Sequence, residues 1–444
     1  MSREDRPLTR TTVAGYALGS LGTGLYSTVP TVLLLYFCTE ILLISPAIAS
    51  LIVFVPKAWA ILWDPIVGAW SDRARSSHGR RAPFLAVGAI GMAISFPLLF
   101  ASPSLGPTAT VVYVSVTYFA MATLYSLFAV PYCAVPAELG SAAERERLLL
   151  WRMVLSMTGV LIGAGVAPHL VELMGGGKRG YTLMALLFAV TCGIAMFAAY
   201  QAVRRRLAAP GMTYITTPMA RCVRRVLANG EYVQLWIAYL LATSGVAMFL
   251  SMVPYYVTYL LQRPESDAGT ALMALLAGNI CALPLWGRAL RRWDGWSTFL
   301  AALVLFIGIS ASFWFMPATH GLAAVLPFFF LLGVPFAGLQ LLPFALLAHL
   351  TNADAADGGR NEGLYTGVWT SGEKLALALG PAVTGLSLAW SGYVSGAAVQ
   401  ADSVLRNMHA ILIFGPALFL LPTALLVAKR AFAKRTSFPE PRPT

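Results

Sequence analysis

Long apolar stretches alternate with short polar stretches along all 444 residues of the chain. A helix needs about 20 apolar residues to cross the hydrocarbon core of a bilayer, and twelve stretches reach or approach that length. Transmembrane β-strands would instead give short segments of alternating hydrophobicity. The pattern predicts twelve spanning helices, at 12–38, 46–71, 83–102, 109–137, 148–173, 181–203, 231–261, 268–287, 297–316, 321–349, 363–391 and 407–428.

The composition agrees with a lipid environment. Hydrophobic residues make up 58% of the chain and charged residues only 11%, against about 25% charged residues in an average soluble domain. A soluble fold of this size could not bury so many apolar side chains. The five cysteines form no C-x-x-C pair and are expected to be small buried hydrophobes. The first ten residues are polar, so no cleavable signal peptide is expected.

The placement of positive charge predicts the topology. Twenty-five of the 31 Lys and Arg residues fall in loops on the side of the N-terminus, four fall on the opposite side, and Lys57 and Lys374 lie inside spans. By the positive-inside rule, both termini are cytoplasmic in a multi-pass protein of the cell inner membrane. The net charge of +12 is then explained by topology and by contact with anionic lipids, and no nucleic-acid partner is expected.

The longest connection follows span six and divides the chain into two halves. We predict an N-terminal six-helix half at 1–203, a basic cytoplasmic linker at 204–230, a C-terminal six-helix half at 231–430 and a disordered cytoplasmic tail at 431–444. Basic loops recur at matching places in the two halves. Parallel six-span halves with a site between them are typical of secondary transporters.

Charged residues inside spans are costly and usually functional. Lys57 and Asp64 lie seven residues apart in span two, so they share one helix face about 10 Å apart along the axis. Asp64 lies about 12 Å inside the predicted cytoplasmic end of the span. A carboxylate there pairs with a cation, binds a cation or takes up a proton. Two interpretations stay open, a coupling or substrate site and a structural ion pair with Lys57 or Arg152.

Two further cations invite a functional interpretation. Lys374 in span eleven is predicted to face the centre, where it would hold an anionic or hydroxyl-rich group, and the alternative is a local ion pair. Arg152 begins the apolar part of span five, either as a fork-shaped donor in a cavity or as an anchor that reaches the lipid phosphates. Asn279 and Gln340 either line a solute path or hydrogen-bond between helices.

Sequence motifs for enzymes are missing. The chain has no Walker sequence, no Ser-His-Asp set and no H-E-x-x-H motif, so we expect no ATP-driven pumping, no catalytic residue, no metal site and no cofactor. The small-residue runs that contain Gly159 and Gly163, and Gly372, Gly380 and Gly385, predict close helix packing.

Three blocks of residues carry a resemblance to a known family. They are Asp64-Pro65-Ile66-x-Gly68-x-x-x-Asp72-Arg73 followed by Gly79-Arg80-Arg81-x-Pro83, then Pro131-Tyr132-x-Ala134 with Glu144-Arg145 and Arg152, and then Arg360-x-Glu362-Gly363 leading to Lys374. The chain resembles the major facilitator superfamily and, more closely, its glycoside–pentoside–hexuronide:cation symporter family. The resemblance covers most of the chain. It implies an all-α membrane protein of two pseudo-symmetric six-helix halves that works by alternating access.

The resemblance also implies roles for single residues. Asp64 matches one Asp of the family's cation site on span two, but the family's other Asp and its Asn fall at Ala60 and Trp63. Sodium prefers several hard oxygen ligands, so the proton is the expected coupling ion in preference to sodium, with Lys57 tuning Asp64. The acids that hold a galactoside in the family fall at Gly24 and Ala129, so a standard galactoside is not expected.

The expected solute contacts combine residues near Asp64 with positions that match the family's cavity. They are Trp63, Tyr132, Arg152, Thr370 and Lys374. The cytoplasmic charges resemble the family's gate, which here would use Asp72, Arg73, Glu144, Arg145, Arg360 and Glu362. Ordinary membrane-surface charge is the alternative interpretation of these six residues.

The sequence thus predicts a monomeric symporter for a glycoside or related polar organic solute, with that solute, the proton and membrane lipids as partners. Two alternatives stay open. One is an exporter or carrier of an anionic amphiphile similar to a lysolipid, with Lys374 and Arg152 holding the acidic group. The other is a non-transporting membrane sensor on the same fold.

Overall fold

The computed structural model describes residues 8–74, 81–138, 142–204, 228–315, 321–356 and 362–436, and over these ranges the chain is helical without a strand. Six long helices precede the break at 205–227. They are α1 (Arg10–Tyr36, extended by a π-helical turn at Phe37–Ile41), α2 (Pro46–Arg73), α3 (Ala82–Phe100), α4 (Pro107–Glu138), α5 (Ala142–Leu161, continued by the π-helical Ile162–Val166 and by Ala167–Leu173) and α6 (Gly177–Val203).

Six more long helices follow the break. They are α7 (Gly230–Tyr255, extended by a π-helical turn at Tyr256–Leu260), α8 (Ser266–Arg292), α9 (Gly295–Ser312, with a 3-10 turn at Phe313–Phe315), α10 (Leu322–Ala356), α11 (Glu362–Trp390) and α12 (Asp402–Thr436). Each of the twelve overlaps one predicted span, which confirms the predicted all-helical fold.

Eleven of these helices, within the ranges given above, are long and apolar enough to cross a membrane. The exception is α11, which carries Glu373 and Lys374 in its middle. Charged side chains at such a depth are expensive and mark functional positions. The helix that departs from the apolar pattern, α11, is therefore also the helix in which the sequence predicts a functional lysine, Lys374.

Short polar side chains define where several helices begin. The Thr9 hydroxyl accepts a hydrogen bond from the Thr12 amide at the start of α1. The side chains of Asn229 and Asp294 accept amide hydrogen bonds at the starts of α7 and α9. Such caps satisfy amides that have no partner within the helix. The loop chemistry therefore fixes helix ends that hydrophobicity alone leaves uncertain.

The chain divides into two compact units. The first comprises the described residues of Met1–Tyr214 with Pro264–Gly269 and Tyr393–Ala398, and the second comprises those of Ile215–Arg263, Thr270–Gly392 and Val399–Thr444. In the first unit α1 packs on α5 and α6, and α3 packs on α4 and α6. In the second unit α7 packs on α11 and α12, and α9 packs on α10 and α12. The same pairing recurs in both, as an internal repeat would require.

A backbone detail repeats as well. The π-helical turns that extend α1 and α7 are each followed by a residue in the left-handed region, Leu43 at φ 58° and Gln262 at φ 51°. Both turns close with the same hydrogen bonds, in which the amides on either side of that residue donate to carbonyls of the turn. Neither position is a glycine, so the surrounding packing has to compensate for the strain.

Glycine allows α1 and α5 to approach closely in the first unit. A methyl group built on Gly24 would lie 2.4 Å from the Ser156 carbonyl oxygen, and one built on Gly159 would lie 2.4 Å from the Leu21 carbonyl oxygen. Both distances are too short for any larger residue. The expected close packing at Gly159 is confirmed, and Gly24 is its counterpart on α1.

Candidate functional site

The ammonium group of Lys57 is held against α1. Its Nζ donates a hydrogen bond to Thr31 Oγ1 at 2.8 Å. The Thr31 hydroxyl donates in turn to the Ser27 carbonyl oxygen at 2.7 Å, so its oxygen is free to accept from Lys57. Asp64 lies two turns further along α2 and is half-buried. The cation and the carboxylate on this helix face therefore lie at different depths, with Lys57 tied to α1.

Two tryptophans near Asp64 turn towards α4. The indole N–H groups of Trp59 and Trp63 donate to the hydroxyl and the backbone carbonyl oxygen of Thr123, at 3.2 and 3.3 Å. Their rings stack with centroids 5.7 Å apart and planes 18° apart. An indole nitrogen only donates hydrogen bonds, and the buried Ala60 has no polar side-chain atom. Positions 60 and 63 therefore add no oxygen to a cation site at Asp64.

Arg152 on α5 turns inward, towards α4. Its Nη2 lies 2.9 Å from Cys133 Sγ, and its Cζ lies 5.7 Å from the centre of the Tyr132 ring. A guanidinium over an aromatic face gains a cation–π attraction. Within the part of the chain that the structure describes, no carboxylate is paired with Arg152. Of the two predicted orientations, the contacts favour an inward donor over a lipid anchor.

Tyr132 lies beneath Arg152 and joins α4 to α1. Only 1% of its surface is exposed. Its ring stacks on Tyr16 at 4.5 Å, and its hydroxyl donates to the Tyr16 carbonyl oxygen at 2.7 Å. Since that donation uses the hydroxyl proton, the contact with Ser20 Oγ at 2.7 Å is one that Tyr132 accepts. Tyr132 therefore fixes the surface on which Arg152 rests.

The second unit brings aromatic side chains of α7, α10 and α11 together, one turn from the predicted solute contacts of α11. Thr370 is exposed on α11, and Glu373 and Lys374 are half-buried. The Tyr239 ring of α7 stacks on Trp369 with centroids 4.3 Å apart. Glu373, which directly precedes Lys374 in the chain, is not among the solute contacts predicted from the sequence.

The predicted gate falls mainly outside the described side chains. The backbones of Asp72 and Arg73 end α2, and that of Glu362 begins α11, but their side chains and all of Arg360 lie outside the described residues. The two that are described differ in setting. The Glu144 carboxylate accepts a hydrogen bond from the Leu8 amide, which links the start of α5 to the segment before α1, and Arg145 is exposed. The gate stays a prediction.

Asn279 and Gln340 form an interhelical hydrogen bond. Asn279 Nδ2 donates to Gln340 Oε1 at 3.2 Å, from α8 to α10. This is one of the two predicted arrangements. Such a bond holds two apolar helices in register where lipid offers no polar partner.

Sequence reasoning missed a cluster at the segment that joins α7 to α8. Glu265 lies in this segment but belongs to the first unit, where the Tyr181 hydroxyl of α6 donates to its carboxylate. Burial raises the pKa of Glu265 from 4.5 to about 7; the hydrogen bond from Tyr181 opposes the rise, and the carboxylates of Glu40 and Glu172 add to it. The partners come from distant parts of the chain, so no local pattern could have found them.

Among the described residues, no group of three or more His, Cys, Asp or Glu side chains is placed to hold a metal ion. The in-span charged side chains described above are Lys57, Asp64 and Arg152 in the first unit and Glu373 and Lys374 in the second.

Comparison with known protein families shows the family to which this chain belongs. The family model for the MFS/sugar transport protein matches residues 15–429. The chain belongs to this family. The resemblance drawn from the three motif blocks is thereby confirmed, and the protein is a multi-pass membrane transporter of the major facilitator type and not an enzyme.

Curated relatives agree with the family. YagG of Escherichia coli (strain K12), provisionally named a glycoside/cation symporter, is 27% identical over 407 residues, which cover 89% of this chain and 86% of YagG. The inner membrane symporter YicJ of the same organism is 25% identical, with 95% and 91% covered. The sodium-dependent lysophosphatidylcholine symporter 1-A of Danio rerio is 22% identical, with 88% and 80% covered.

A solved structure supports the fold. A bacterial homolog of the human lysosomal transporter Spinster superposes with a TM-score of 0.74 at 12% sequence identity, and the match covers 97% of this chain and 98% of that one. At this identity the likeness shows the fold alone. It supports the overall helical fold described above.

Proposed function

We propose that this protein is a proton-coupled symporter of the cell inner membrane that moves a glycoside or a related polar organic solute by alternating access, with both termini in the cytoplasm. Asp64 binds the proton. The names of the relatives YagG and YicJ support symport, and the name of YagG supports a glycoside. The twelve-span family architecture supports alternating access between two halves.

The observation that carries the choice of the proton is the surroundings of Asp64 on α2. Sodium takes several hard oxygen ligands. Position 63 offers an indole N–H that is already bonded to Thr123, and position 60 offers a methyl group. A proton needs only one carboxyl group. The side chains that flank Asp64 on its own helix thus suit protonation better than coordination of a metal cation.

Lys57 provides a means of coupling. Its ammonium group lies on the same face of α2 as Asp64 and is anchored to Thr31 of α1. Protonation of Asp64 removes one negative charge from this face, which changes the balance of charge between α1 and α2. Coupling then requires that proton binding and solute binding favour the same conformational exchange.

Uptake into proteoliposomes tests the proposal. Radiolabelled methyl xyloside, methyl glucoside and methyl glucuronide are offered under an imposed pH gradient and, separately, under an imposed sodium gradient. We expect accumulation of at least one of the three with the pH gradient alone. Asp64→Asn abolishes accumulation but leaves downhill exchange, because the solute site is intact while the proton site is lost. Asp402→Asn, the same change at an exposed position of α12, leaves accumulation unchanged.

Two outcomes contradict the assignment. Accumulation driven by sodium and indifferent to pH would exclude the proton as the coupling ion. Full accumulation by the Asp64→Asn variant under a pH gradient would remove Asp64 from the coupling role.

One observation favours a second candidate, a carrier of an anionic amphiphile. Within the described residues the Arg152 guanidinium has a thiol and an aromatic ring as neighbours and no paired carboxylate. A cation in such a place gains from an anionic ligand. The lysophosphatidylcholine symporter among the relatives has a name that fits a lipid solute.

Competition separates the two solute classes. In the proteoliposome assay, lysophosphatidic acid is added against each labelled glycoside, with a neutral alkyl glucoside of equal chain length as control. Inhibition by the anionic lipid alone, lost in Arg152→Gln, supports the amphiphile carrier. Equal inhibition by both lipids supports the glycoside proposal. Absence of flux for every solute of the panel in either membrane orientation favours the sensor alternative.

A further inference from the structure

A groove runs between α3 and α6 on the surface of the first unit and has no part in the proposed transport mechanism. Its volume is about 510 Å³, within the range of about 300–1,000 Å³ that is usual for small-molecule pockets. All the residues that line it are apolar, and both helices are apolar enough to cross a membrane. A lining without polar side chains does not suit a hydrated glycoside, so we expect the groove to face hydrocarbon.

Small residues form the floor of the groove, and larger apolar residues form its walls. The floor includes Ala93 of α3 and Gly193 of α6, and a methyl group built on the glycine would lie 2.9 Å from the Ala93 Cβ atom. The walls include Ile94 of α3 and Val190 and Ile194 of α6, which are between 57% and 67% exposed. Exposed branched side chains on either side of a small-residue floor form an open furrow. A flexible hydrocarbon chain can fill such a furrow by van der Waals contact.

The groove reaches from the middle of the two helices towards one membrane surface. Thr182 of α6 donates a hydrogen bond to the Phe100 carbonyl oxygen of α3 at 3.1 Å, and Gly193 lies against Ala93, so the two helices are antiparallel. Arg204 follows Gly193 by eleven residues, which corresponds to about 16 Å along a helix. This distance is half of a hydrocarbon core of about 30 Å. Arg204 therefore lies at the level of the lipid headgroups when the Ala93–Gly193 contact lies in the middle of the bilayer.

A positive charge lies at this end of the groove. Phe197 lines the groove, and its ring centre lies 5.3 Å from that of Tyr200. The Arg204 Cζ atom lies 5.8 Å from the centre of the Tyr200 ring. These three residues share one face of α6, because steps of three and four residues return to the same side of a helix. Within the part of the chain that the structure describes, no acid is paired with Arg204. Arg205 and Arg206 follow in the sequence, outside the described residues.

We propose that this groove binds one anionic phospholipid, with an acyl chain along the furrow between α3 and α6 and the headgroup phosphate at Arg204. A guanidinium complements a phosphate because its planar fork can donate two hydrogen bonds to the phosphate oxygens. Basic pockets between membrane-spanning helices are typical sites for acidic headgroups. Hydrophobicity cannot select the occupant, because lipid tails already surround the helices, so the charge has to select it. The site requires neither the solute nor the coupling ion and is independent of the proposed function.

Native mass spectrometry of the purified full-length chain tests the preference for an anionic headgroup. Palmitoyl-oleoyl phosphatidylglycerol and palmitoyl-oleoyl phosphatidylcholine, which have the same acyl chains, are titrated separately into the protein in detergent. We expect the first phosphatidylglycerol to bind more tightly than the first phosphatidylcholine. Arg204→Gln should weaken the first phosphatidylglycerol about fivefold, as expected for one cation near the lipid phosphates. It should change phosphatidylcholine little, because that headgroup carries its own positive charge.

Arg292→Gln is the matched control for the headgroup contact. It makes the same change at an exposed arginine in the last turn of α8, another membrane-spanning helix. The affinities for both phospholipids should stay as in wild type.

Photo-crosslinking locates the bound lipid. Phosphatidylglycerol with a diazirine in one acyl chain is irradiated together with the protein in nanodiscs, and the labelled peptides are mapped. We expect the labels to concentrate on the groove segments 89–94 and 189–198. Val190→Phe adds a ring to a groove wall and should remove most of this labelling. Val116→Phe makes the same change on α4, at the same exposure of 61%, and should leave the labelling unchanged.

Four results would each overturn the proposed lipid site. The first is equal affinity of the wild type for phosphatidylglycerol and phosphatidylcholine, and the second is an unchanged affinity for phosphatidylglycerol in Arg204→Gln. The third is labelling that spreads evenly over the exposed helix faces or that does not respond to Val190→Phe. The fourth is crosslinking of two copies of the chain through the groove segments, which would assign the groove to a protein dimer.

Discussion

Tyr16 and Tyr132 exchange hydrogen bonds between α1 and α4. The Tyr16 hydroxyl donates to the Tyr132 carbonyl oxygen at 3.0 Å, and the Tyr132 hydroxyl donates to the Tyr16 carbonyl oxygen at 2.7 Å. The two rings stack at 4.5 Å. Because Arg152 rests on the Tyr132 ring, this reciprocal contact fixes the position of an in-span cation as well as two helices.

Tyr132→Phe is expected to lower stability while preserving the stacked rings. The change removes the buried Tyr132 hydroxyl, so the Ser20 hydroxyl and the Tyr16 carbonyl oxygen each lose one hydrogen-bond partner. Leaving buried polar groups without partners lowers the free energy of unfolding by about 1–3 kcal/mol. Thermal unfolding in detergent measures it. Tyr113→Phe is the control, because the Tyr113 hydroxyl makes an exposed hydrogen bond to the Leu98 carbonyl oxygen. Equal melting temperatures for the two variants would refute the buried exchange.

Gly24→Ala is expected to force α1 and α5 apart. The added methyl group would lie 2.4 Å from the Ser156 carbonyl oxygen, and overpacking of this kind costs about 1–3 kcal/mol. Gly68→Ala provides the comparison, because its nearest neighbour would be Val130 at 3.7 Å, and Ala in a helix gains up to about 1 kcal/mol over Gly. Thermal stability should fall in the first variant and hold or rise in the second. The opposite order would contradict the close approach.

Stability should depend on pH through Glu265. Its pKa is raised to about 7, first of all by burial. Between about 4.5 and about 7 the folded protein therefore holds a proton that the unfolded chain has lost, so stability falls as pH rises across this window. Glu265→Gln removes this contribution and flattens the dependence. Melting temperatures at stepped pH measure the slope.

Two companion variants check the Glu265 assignment. Tyr181→Phe removes the hydrogen bond that opposes the rise in the pKa, so the fall in stability should extend to higher pH. Asp402→Asn, at an exposed position, should leave the slope as in wild type. A slope that survives in Glu265→Gln would assign the pH dependence to another group.

Asn279 and Gln340 are expected to support the structure and not the solute. The double-mutant cycle of Asn279→Leu and Gln340→Leu should show a coupling of about 0.5–1.5 kcal/mol in thermal stability. The apparent affinity for the transported glycoside should stay unchanged. A large change in that affinity without loss of stability would place the two side chains on the solute path.

Much of the fold follows from local properties of the sequence. The twelve helices were predictable because an apolar stretch of sufficient length has few alternatives in lipid, where every backbone polar group needs an internal partner. The sequence marks Asp64, Lys57 and Lys374 as candidate functional residues because charge at such depth is costly wherever it occurs. The packing role of Gly159 followed from small-residue spacing alone.

Other features depend on partners that are far apart in the sequence. Nothing near Trp369 in the chain reveals that Tyr239, on another helix, stacks on its ring. Nothing near Glu265 reveals that a segment beyond α7 packs in the first unit beside Tyr181. The inward turn of Arg152 depends on Cys133 and Tyr132 of α4.

The sequence by itself determined the long helices, the family and the charges that the membrane must accommodate, because hydrophobic length and charge act residue by residue. The tertiary structure decided which groups each polar or charged side chain contacts. Lys57 donates to Thr31, Trp63 donates to the Thr123 carbonyl oxygen of α4, and Arg152 lies over the Tyr132 ring. Those partners are set by how helices pack, and packing depends on the shapes of side chains that only the folded chain brings together.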